Sequence, residues 1–154
     1  MAETIADAPT GIDHLVILVH DLDDGIRSWS GRMGLSLSHK INLESVGLQQ
    51  AFFKFEDGTF IELVAPTRDG TVISSILEER GEGMHVVALR VDNLEASVEG
   101  LLSKGTKLRG VGTPQVFIEP EDANGVLIQL WPRDRPHRWQ NSAKKSDGGL
   151  TGDL

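Results

Sequence analysis

The chain has 154 residues, of which 39% are hydrophobic and 25% are charged, a composition typical of a folded domain with a buried core. Its formal charge of −8 disfavours binding to nucleic acid or to an anionic membrane surface, and no segment is apolar enough to predict a membrane span. Cysteine is absent, which excludes disulfides, cysteine-ligated zinc and thiol nucleophiles, and with the polar N-terminus it favours a cytoplasmic protein.

The first half of the chain predicts a strand, a helix and then three more strands. Residues 1–10 are expected to be a flexible polar lead, and the apolar run from Ile12 to Val19 predicts the first strand. Asp21 is the expected N-cap of a helix that ends at Gly34. One face of this helix carries an apolar stripe of Leu22, Ile26, Trp29 and Met33. Further strands are predicted near residues 35–38, 48–55 and 60–65.

The second half repeats this order of elements. Met84 to Val91 predicts a strand, and Asp92 with Glu95 predicts a capping box for a helix that ends at Gly105. Three short strands are then predicted near residues 107–109, 115–119 and 126–131. Between the halves, a short helix is predicted over residues 72–79.

Matching sequences in the two halves indicate an internal duplication. The segment GIDHLVILVHDL from Gly11 aligns with GMHVVALRVDNL from Gly83, an offset of 72 residues (83 − 11). Near the end of each half, DGTFIELVAP from Asp57 aligns with NGVLIQLWP from Asn124. Two halves with the same order of elements and matching ends predict two copies of one structural unit.

The duplication predicts an α+β fold of two tandem β-α-β-β-β modules whose curled mixed sheets surround a concave cup. One domain spans residues 11–132 and contains the first module, 11–66, the connector, 67–82, and the second module, 83–132. Residues 133–154 are rich in Gly, Ser and charged residues, and we expect a polar flexible tail there.

Alternation along the predicted strands places three polar side chains on the inner faces of the sheets. His14, Glu62 and Gln129 each lie on the face of their strand that is not needed to cover a helix. A histidine and a carboxylate on neighbouring strands are good ligands for a first-row metal, and a glutamine oxygen is a weaker one. The same spacing also fits a metal-free core in which His14 hydrogen bonds to Glu62. Both interpretations remain open at this point.

Three segments of the chain resemble a known family. These are DHLVILVHDLDDGIRSWSGRMGL, FIELVAPTRDGTVISSILEERGEGMHVVALRVDNLEA and NGVLIQL, which are similar to the methylmalonyl-CoA epimerase and glyoxalase I branch of the vicinal oxygen chelate superfamily. The resemblance covers residues 11–132 and implies a glyoxalase/bleomycin-resistance-like fold. It also implies a homodimer.

The resemblance implies four metal-ligand positions, two in each module. They fall on His14, Glu62, Val86 and Gln129, so valine replaces an expected histidine and glutamine replaces an expected glutamate. The implied cofactor is a divalent metal (Zn, Co, Ni, Mn or Fe) that is weakly bound or absent. His85 precedes the lost ligand, but neighbouring strand residues face opposite ways, so it could replace that ligand only through a β-bulge.

The expected catalytic residues are His14, Glu62 and Glu119. The position of the epimerases' catalytic glutamate falls on Gln50, and an amide cannot take a proton from a thioester at neutral pH. Ordinary epimerase activity is therefore in question on the sequence alone. The residues expected to line the substrate cup are Gln50, Phe52, Phe60, Phe117, Gln129 and Trp131.

Two functions are compatible with these residues. The first is an isomerase or lyase of the vicinal oxygen chelate superfamily that acts on a small oxygenated or acyl substrate, acyl-CoA thioesters included. The alternative is a metal-free protein that binds a small molecule and confers resistance by sequestering it, with Trp131 and the phenylalanines as its contacts. The retained His14 and Glu62 favour the enzyme, because an aromatic trap needs neither.

Overall fold

A computed structural model of the protein describes residues 8–140. Within this range the chain forms two compact units, and each is described by itself. The first-half unit consists of residues 15–85 and 136–140, and the second-half unit consists of residues 8–14 and 86–135. Residues 1–7 of the predicted lead and 141–154 of the predicted tail lie outside the described residues.

The first-half unit contains the elements expected for the first module and the connector. Its strands are hydrogen bonded in the order β2-β3-β4-β1, and the pairs β2–β3 and β3–β4 are antiparallel. The bounds of its elements are β1 Gly11–Leu18 (of which 15–18 lie in this unit), α1 Leu22–Ile26, β2 His39–Leu43, β3 Leu48–Lys54, β4 Phe60–Pro66 and α2 Val72–Arg80.

The first helix begins as expected but changes type. The side chain of Asp21 accepts a hydrogen bond from the backbone N–H of Asp24 at 2.9 Å, which confirms the predicted N-cap. After α1 the chain continues as a π-helix over Arg27–Arg32, and Gly34 follows with a φ of +85°. Such a φ favours glycine, which agrees with the predicted helix end.

The strand expected at residues 35–38 was wrong. These residues form no strand, and β2 begins at His39, which is paired with Phe52 of β3. The physical reason is that Leu35 belongs to the end of the helix. Its N–H donates to the carbonyl of Trp29 at 3.0 Å, and its side chain packs on the apolar cluster beneath the helix.

The second-half unit contains the elements of the second module. Its strands are ordered β1-β5-β8-β7-β6; β5 and β8 are parallel, whereas the pairs β6–β7 and β7–β8 are antiparallel. The bounds are β5 Gly83–Val91 (of which 86–91 lie in this unit), α3 Leu94–Ser103, β6 Leu108–Arg109, β7 Val116–Ile118 and β8 Ile128–Pro132. The predicted α+β fold of two β-α-β-β-β modules is confirmed.

The N-cap of α3 differs from the predicted one by a single residue. Asn93, not Asp92, accepts the capping hydrogen bond, from the N–H of Ala96 at 2.9 Å. Asp92 instead forms an ion pair with Arg133 at 2.7 Å. The expected capping box with Glu95 is therefore replaced by a single asparagine cap and a nearby ion pair.

One face of each sheet covers its helix, as the alternation predicted. In the first-half unit the buried cluster contains Ala51, Phe53, Ile61 and Leu63 of β3 and β4, and Ile26 and Trp29 pack on it. In the second-half unit Val116, Ile118 and Leu130 form the cluster, with Leu94, Val98 and Leu101 of α3 packed on it. Glu62, Gln50 and Gln129 alternate with these core residues and so lie on the opposite strand faces. None of the described helices is long and apolar enough to cross a membrane.

Residues 133–140, the described part of the predicted tail, make packing contacts. In the second-half unit the guanidinium of Arg135 lies over the ring of Trp131, 4.2 Å from its centroid, and donates to the carbonyl of Pro114 at 3.1 Å. In the first-half unit the rings of His137 and Trp139 stack at 5.5 Å. The segment is polar in composition, but its contacts are made by its arginine and aromatic side chains.

Candidate functional site

A buried carboxylate and amide form the polar centre of the first-half unit. Antiparallel pairing places Phe52 opposite Glu62, so Gln50, two residues earlier, is a diagonal neighbour of Glu62 on the same face. The Nε2 atom of Gln50 donates to Oε2 of Glu62 at 2.6 Å, and both side chains are fully buried. A short hydrogen bond to a buried carboxylate holds its orientation.

Gln50 also lines a cavity of about 390 Å³ in the same unit. Leu43, Val46 and Leu48 form an apolar wall, and His85 contributes a second polar group. A partly apolar cavity of this size with a few polar side chains is typical of a small-molecule site. Because Gln50 contacts both, Glu62 lies one side chain behind the cavity wall.

The predicted aromatic residues of the first-half unit contact each other and the C-terminal segment. The rings of Phe52 and Phe60 meet edge to face, with centroids 5.7 Å apart. Phe60 also contacts His137 at 4.8 Å and Trp139 at 5.9 Å. Neither phenylalanine is among the described residues that line the cavity, so their role in substrate binding stays a prediction.

In the second-half unit, His14 is held by an aspartate and a tryptophan. Its Nδ1 atom lies 2.7 Å from Oδ2 of Asp13, and Arg90 approaches the other oxygen of Asp13 at 3.6 Å. The edge of the ring meets Trp131, with centroids 5.1 Å apart. A carboxylate on one imidazole nitrogen fixes the tautomer and leaves Nε2 as the nitrogen able to bind a metal or accept a proton.

The residues of this unit match only some of the metal ligands that the resemblance implies. The Asp13–His14 pair is the arrangement that supports histidine ligands in metal sites. Gln129 is fully buried, and within the described chain neither atom of its amide has a hydrogen-bond partner, which fits a side chain that faces a ligand. Val86 offers no donor atom. Glu62, the other predicted ligand, belongs to the first-half unit.

Glu119 forms an ion pair at the surface of the second-half unit. Arg109 donates two hydrogen bonds to its carboxylate, at 2.6 and 3.1 Å. The hydrogen bond from Arg109 is the main cause of the lowered pKa of Glu119. Desolvation opposes it, and the charge of Arg109 adds a further lowering. Phe117, on the same strand face, lies beneath this guanidinium at 5.9 Å. A carboxylate with a lowered pKa is a weak base and a poor proton donor near neutral pH, so the contacts favour an ion-paired surface residue.

This ion pair gives a pH-dependent prediction. In Arg109→Gln the pKa of Glu119 should rise towards its ordinary value of 4.5, because the main hydrogen bond that lowers it is gone. A carboxyl group whose pKa is lowered by folding stabilises the protein above that ordinary value and loses the contribution as the pH falls through the lowered pKa. The wild type should therefore be more stable than the variant at pH 7, and the difference should vanish at pH 2 to 3, a window set by roughly the usual carboxyl pKa.

NMR titration of the Glu119 carboxyl carbon and urea unfolding at the two pH values provide the measurements. An unchanged Glu119 pKa in Arg109→Gln would contradict the ion pair. Lys107→Gln is a suitable control, because the Lys107 ammonium pairs with Glu121, which raises the pKa of Lys107. Lys107 contacts Glu119 only through its backbone carbonyl, which the substitution keeps.

Three residues of the site were not predicted as such. Asp13 was missed because adjacent strand residues usually face opposite ways, and only the structure shows that its carboxylate reaches His14. His85 was considered as a metal ligand re-aimed by a β-bulge, and the structure places it in the cavity wall. Arg138, which lines the same cavity, lies in the segment expected to be a flexible tail.

Comparison with known proteins identifies the same branch that the sequence motifs resemble. The profile of the glyoxalase/bleomycin resistance protein/dioxygenase superfamily matches residues 13–125. The human mitochondrial methylmalonyl-CoA epimerase is 29% identical over 127 residues, which cover 77% of this chain and 72% of that protein. The crystal structure of methylmalonyl-CoA epimerase from Mycobacterium tuberculosis is 34% identical, with a TM-score of 0.71, and covers 93% of this chain and 97% of that one.

A third relative carries a ligand. A variant of the Streptomyces coelicolor methylmalonyl-CoA epimerase, in complex with 2-nitronate-propionyl-CoA, is 28% identical with a TM-score of 0.65 and covers 80% of this chain and 96% of that one. These relatives are epimerases, a kind of isomerase, and they give no support to the expectation that epimerase activity is in question. Lyase activity stays a prediction. By the matching profile and the 34% identical epimerase, the chain belongs to the glyoxalase/bleomycin resistance protein/dioxygenase superfamily, also known as the vicinal oxygen chelate superfamily.

Proposed function

We propose that this protein is an epimerase of acyl-CoA thioesters that carry a carboxylate on the α-carbon, of which methylmalonyl-CoA is the simplest. The observation that carries the proposal is the fully buried Glu62 carboxylate, hydrogen bonded at 2.6 Å to a glutamine that lines a cavity. The kinship with methylmalonyl-CoA epimerases supports the choice of substrate.

Epimerisation of such a thioester needs a base at the α-carbon. We assign this role to Glu62, because a carboxylate withdrawn from water is a stronger base than one in solution. The α-proton passes to Glu62, and its electron pair moves onto the thioester carbonyl oxygen to give a planar enolate. Water delivers a proton to the other face of the enolate, which inverts the centre, and Glu62 then releases the abstracted proton to water.

Gln50 positions the base in this scheme. One N–H of its amide holds the Glu62 carboxylate, and an amide nitrogen carries two hydrogens. The second hydrogen is available to the enolate oxygen, where a donor stabilises developing negative charge. An amide at this position therefore orients the base and stabilises the enolate, although it cannot itself remove a proton.

A divalent metal, when bound, would supply a Lewis acid. From the second-half unit, His14 and Gln129 are the residues that would hold it. Because Val86 has no donor and Gln129 has no charge, we expect weak binding, with well under one equivalent of metal in purified protein after dialysis against a chelator. Elemental analysis measures this directly.

The same reasoning predicts a gain of metal by substitution. The double variant Val86→His with Gln129→Glu supplies an imidazole and a carboxylate in the unit that contains His14, and it should retain close to one equivalent of zinc or cobalt. The single variant Val86→Leu is the control for repacking at this buried position. Stoichiometric metal in the native protein, or no gain in the double variant, would contradict the assignment of these residues.

The proposed activity is tested by hydrogen exchange. In D₂O, proton NMR should show the α-proton of methylmalonyl-CoA disappearing at a rate proportional to protein concentration and well above the rate without protein. Propionyl-CoA, which lacks the carboxylate on the α-carbon, should exchange little. Absence of protein-dependent exchange with methylmalonyl-CoA, with and without added divalent metal, would refute the proposal.

The expected assembly and location are also proposals. We propose a homodimer that acts in the cytoplasm on a small-molecule substrate. Light scattering at tens of micromolar, compared with the chain mass of 16.8 kDa, tests the dimer, and a mass of one chain would contradict it.

A further inference from the structure

The cavity of the first-half unit contains two arginines although the whole chain is acidic. Arg68 and Arg138 both line it, whereas the formal charge of the chain is −8. Among the described residues that line the cavity, none is an aspartate or a glutamate. A cavity lined by cations and no carboxylates favours an anionic ligand.

The two arginines occupy different depths. Arg138 is only 7% exposed. Arg68 is exposed, and its Nη1 atom donates to the carbonyl of Glu44 at 3.0 Å. Gly47 makes room for it, since a Cβ added there would lie 2.7 Å from that nitrogen. Arg138 is therefore the inner cation and Arg68 the outer one.

A helix end adds to the positive character of the cavity. The lining includes Gly70, the N-cap Thr71, and Val72 and Ile73 of the first turn of the nine-residue α2. The N-terminus of a helix carries a partial positive charge and exposes backbone N–H groups. Together with the buried arginine it forms a lining suited to a carboxylate.

Gln50 contributes an amide oxygen to the cavity that a ligand could hydrogen bond to. Its Oε1 atom is buried and has no hydrogen-bond partner among residues 8–140, while its Nε2 atom is bound to Glu62. Buried polar atoms are normally satisfied, so this acceptor fits a hydrogen-bond donor of a ligand that enters the cavity, such as an amide N–H of CoA, and not the ligand's carboxylate. Gln50, which holds the proposed base Glu62, and the inner arginine Arg138 therefore line the same cavity.

We propose that Arg138 binds the carboxylate of the acyl group and so makes the site selective for 2-carboxyacyl-CoA over simple acyl-CoA. The proposal rests on the proposed function for the acyl-CoA ligand. A guanidinium presents two parallel N–H groups that match the two oxygens of a carboxylate, which a thioester or methyl group cannot engage. Binding the acyl carboxylate also turns the α-carbon to a fixed position, as a base at Glu62 requires.

Calorimetric binding of three probes tests this assignment. Methylmalonyl-CoA, propionyl-CoA and free CoA are titrated into the full chain as wild type, Arg138→Gln and Arg133→Gln. Wild type should bind methylmalonyl-CoA at least tenfold more tightly than propionyl-CoA. Arg138→Gln should lose at least tenfold for methylmalonyl-CoA, change less than twofold for the other two probes, and so lose the discrimination.

The matched control is an arginine of the same segment. Arg133 is paired with Asp92 in the second-half unit and is not among the cavity residues, so Arg133→Gln should bind all three probes as wild type does. Arg138→Lys keeps the charge but loses the two parallel N–H groups of the guanidinium. It should lose affinity only for methylmalonyl-CoA, by a smaller factor than Arg138→Gln does. This variant keeps the test usable where Arg138→Gln fails to fold.

Several outcomes would overturn the assignment. Equal losses for methylmalonyl-CoA and free CoA would mean that Arg138 binds a phosphate of CoA, and unchanged discrimination in Arg138→Gln would mean that it binds no part of the ligand. The two proposals fail separately. Discrimination through Arg138 without α-proton exchange would refute the epimerase, whereas exchange with unaltered discrimination in Arg138→Gln would refute only the carboxylate site.

Discussion

Replacing Glu62 by glutamine should reduce α-proton exchange in methylmalonyl-CoA by a factor of about 10² to 10⁴, the usual contribution of a positioned general base. The side chain is fully buried and is held by Gln50 at 2.6 Å, so the isosteric amide keeps the shape of the site and removes its proton acceptor. The loss should fall on kcat rather than on KM, because the change alters the transition state more than substrate binding.

The matched control for this variant is Glu56→Gln. Glu56 is an exposed carboxylate in the turn between β3 and β4, and its replacement removes the same charge without touching the site. Exchange rates are measured by NMR and the affinity for methylmalonyl-CoA by calorimetry. A Glu62→Gln protein that exchanges within a few-fold of wild type would rule out Glu62 as the base.

Replacing Trp131 by alanine should destabilise the fold by about 3–5 kcal/mol, the cost of deleting a large buried side chain. Trp131 is 2% exposed, its ring contacts His14 and the guanidinium of Arg135, and its Nε1 donates to the carbonyl of Arg135 at 3.1 Å. For a chain of this size the loss corresponds to a fall of roughly 10 °C in the melting temperature.

Two variants separate the sources of this stability. Trp131→Phe keeps most of the ring and loses the N–H, so it should cost only about 1–2 kcal/mol. Val111→Ala, at a half-exposed position of the same unit, should stay within about 0.5 kcal/mol of wild type. Urea unfolding measures all three. A loss below about 1 kcal/mol in Trp131→Ala would mean that the ring serves ligand binding rather than the core.

The fold was predictable because its signals are local. Alternating apolar residues predicted the strands, and Asp21 and Gly34 marked the limits of the first helical segment. The wrong predictions lie where two structures or two neighbouring residues could serve the same role. Leu35 joins the helix end through a tertiary contact, and Asn93 rather than Asp92 caps α3 because Arg133, 41 residues away, pairs with that aspartate.

The site was predictable only where it follows strand alternation. The buried positions of His14, Glu62 and Gln129 could be inferred from the spacing of apolar neighbours, and the structure shows all three below 2% exposure. The buried position of Arg138 could not be inferred, because a single arginine in a polar segment has no periodic pattern that would indicate burial. The aromatic neighbours His137 and Trp139 were its only signal, since aromatic rings in a polar tail have little reason to stay in water.

The central claim is that this protein inverts the α-carbon of a 2-carboxyacyl-CoA, and a single stereochemical measurement tests it most directly. One epimer of methylmalonyl-CoA is incubated with the protein in D₂O, and the two epimers and their deuterium content are followed in time. The proposal predicts protein-dependent formation of the other epimer, up to an equal mixture, with deuterium at the α-carbon. Tight, stoichiometric binding that leaves the starting epimer unchanged and undeuterated would contradict it and would favour a protein that sequesters its ligand.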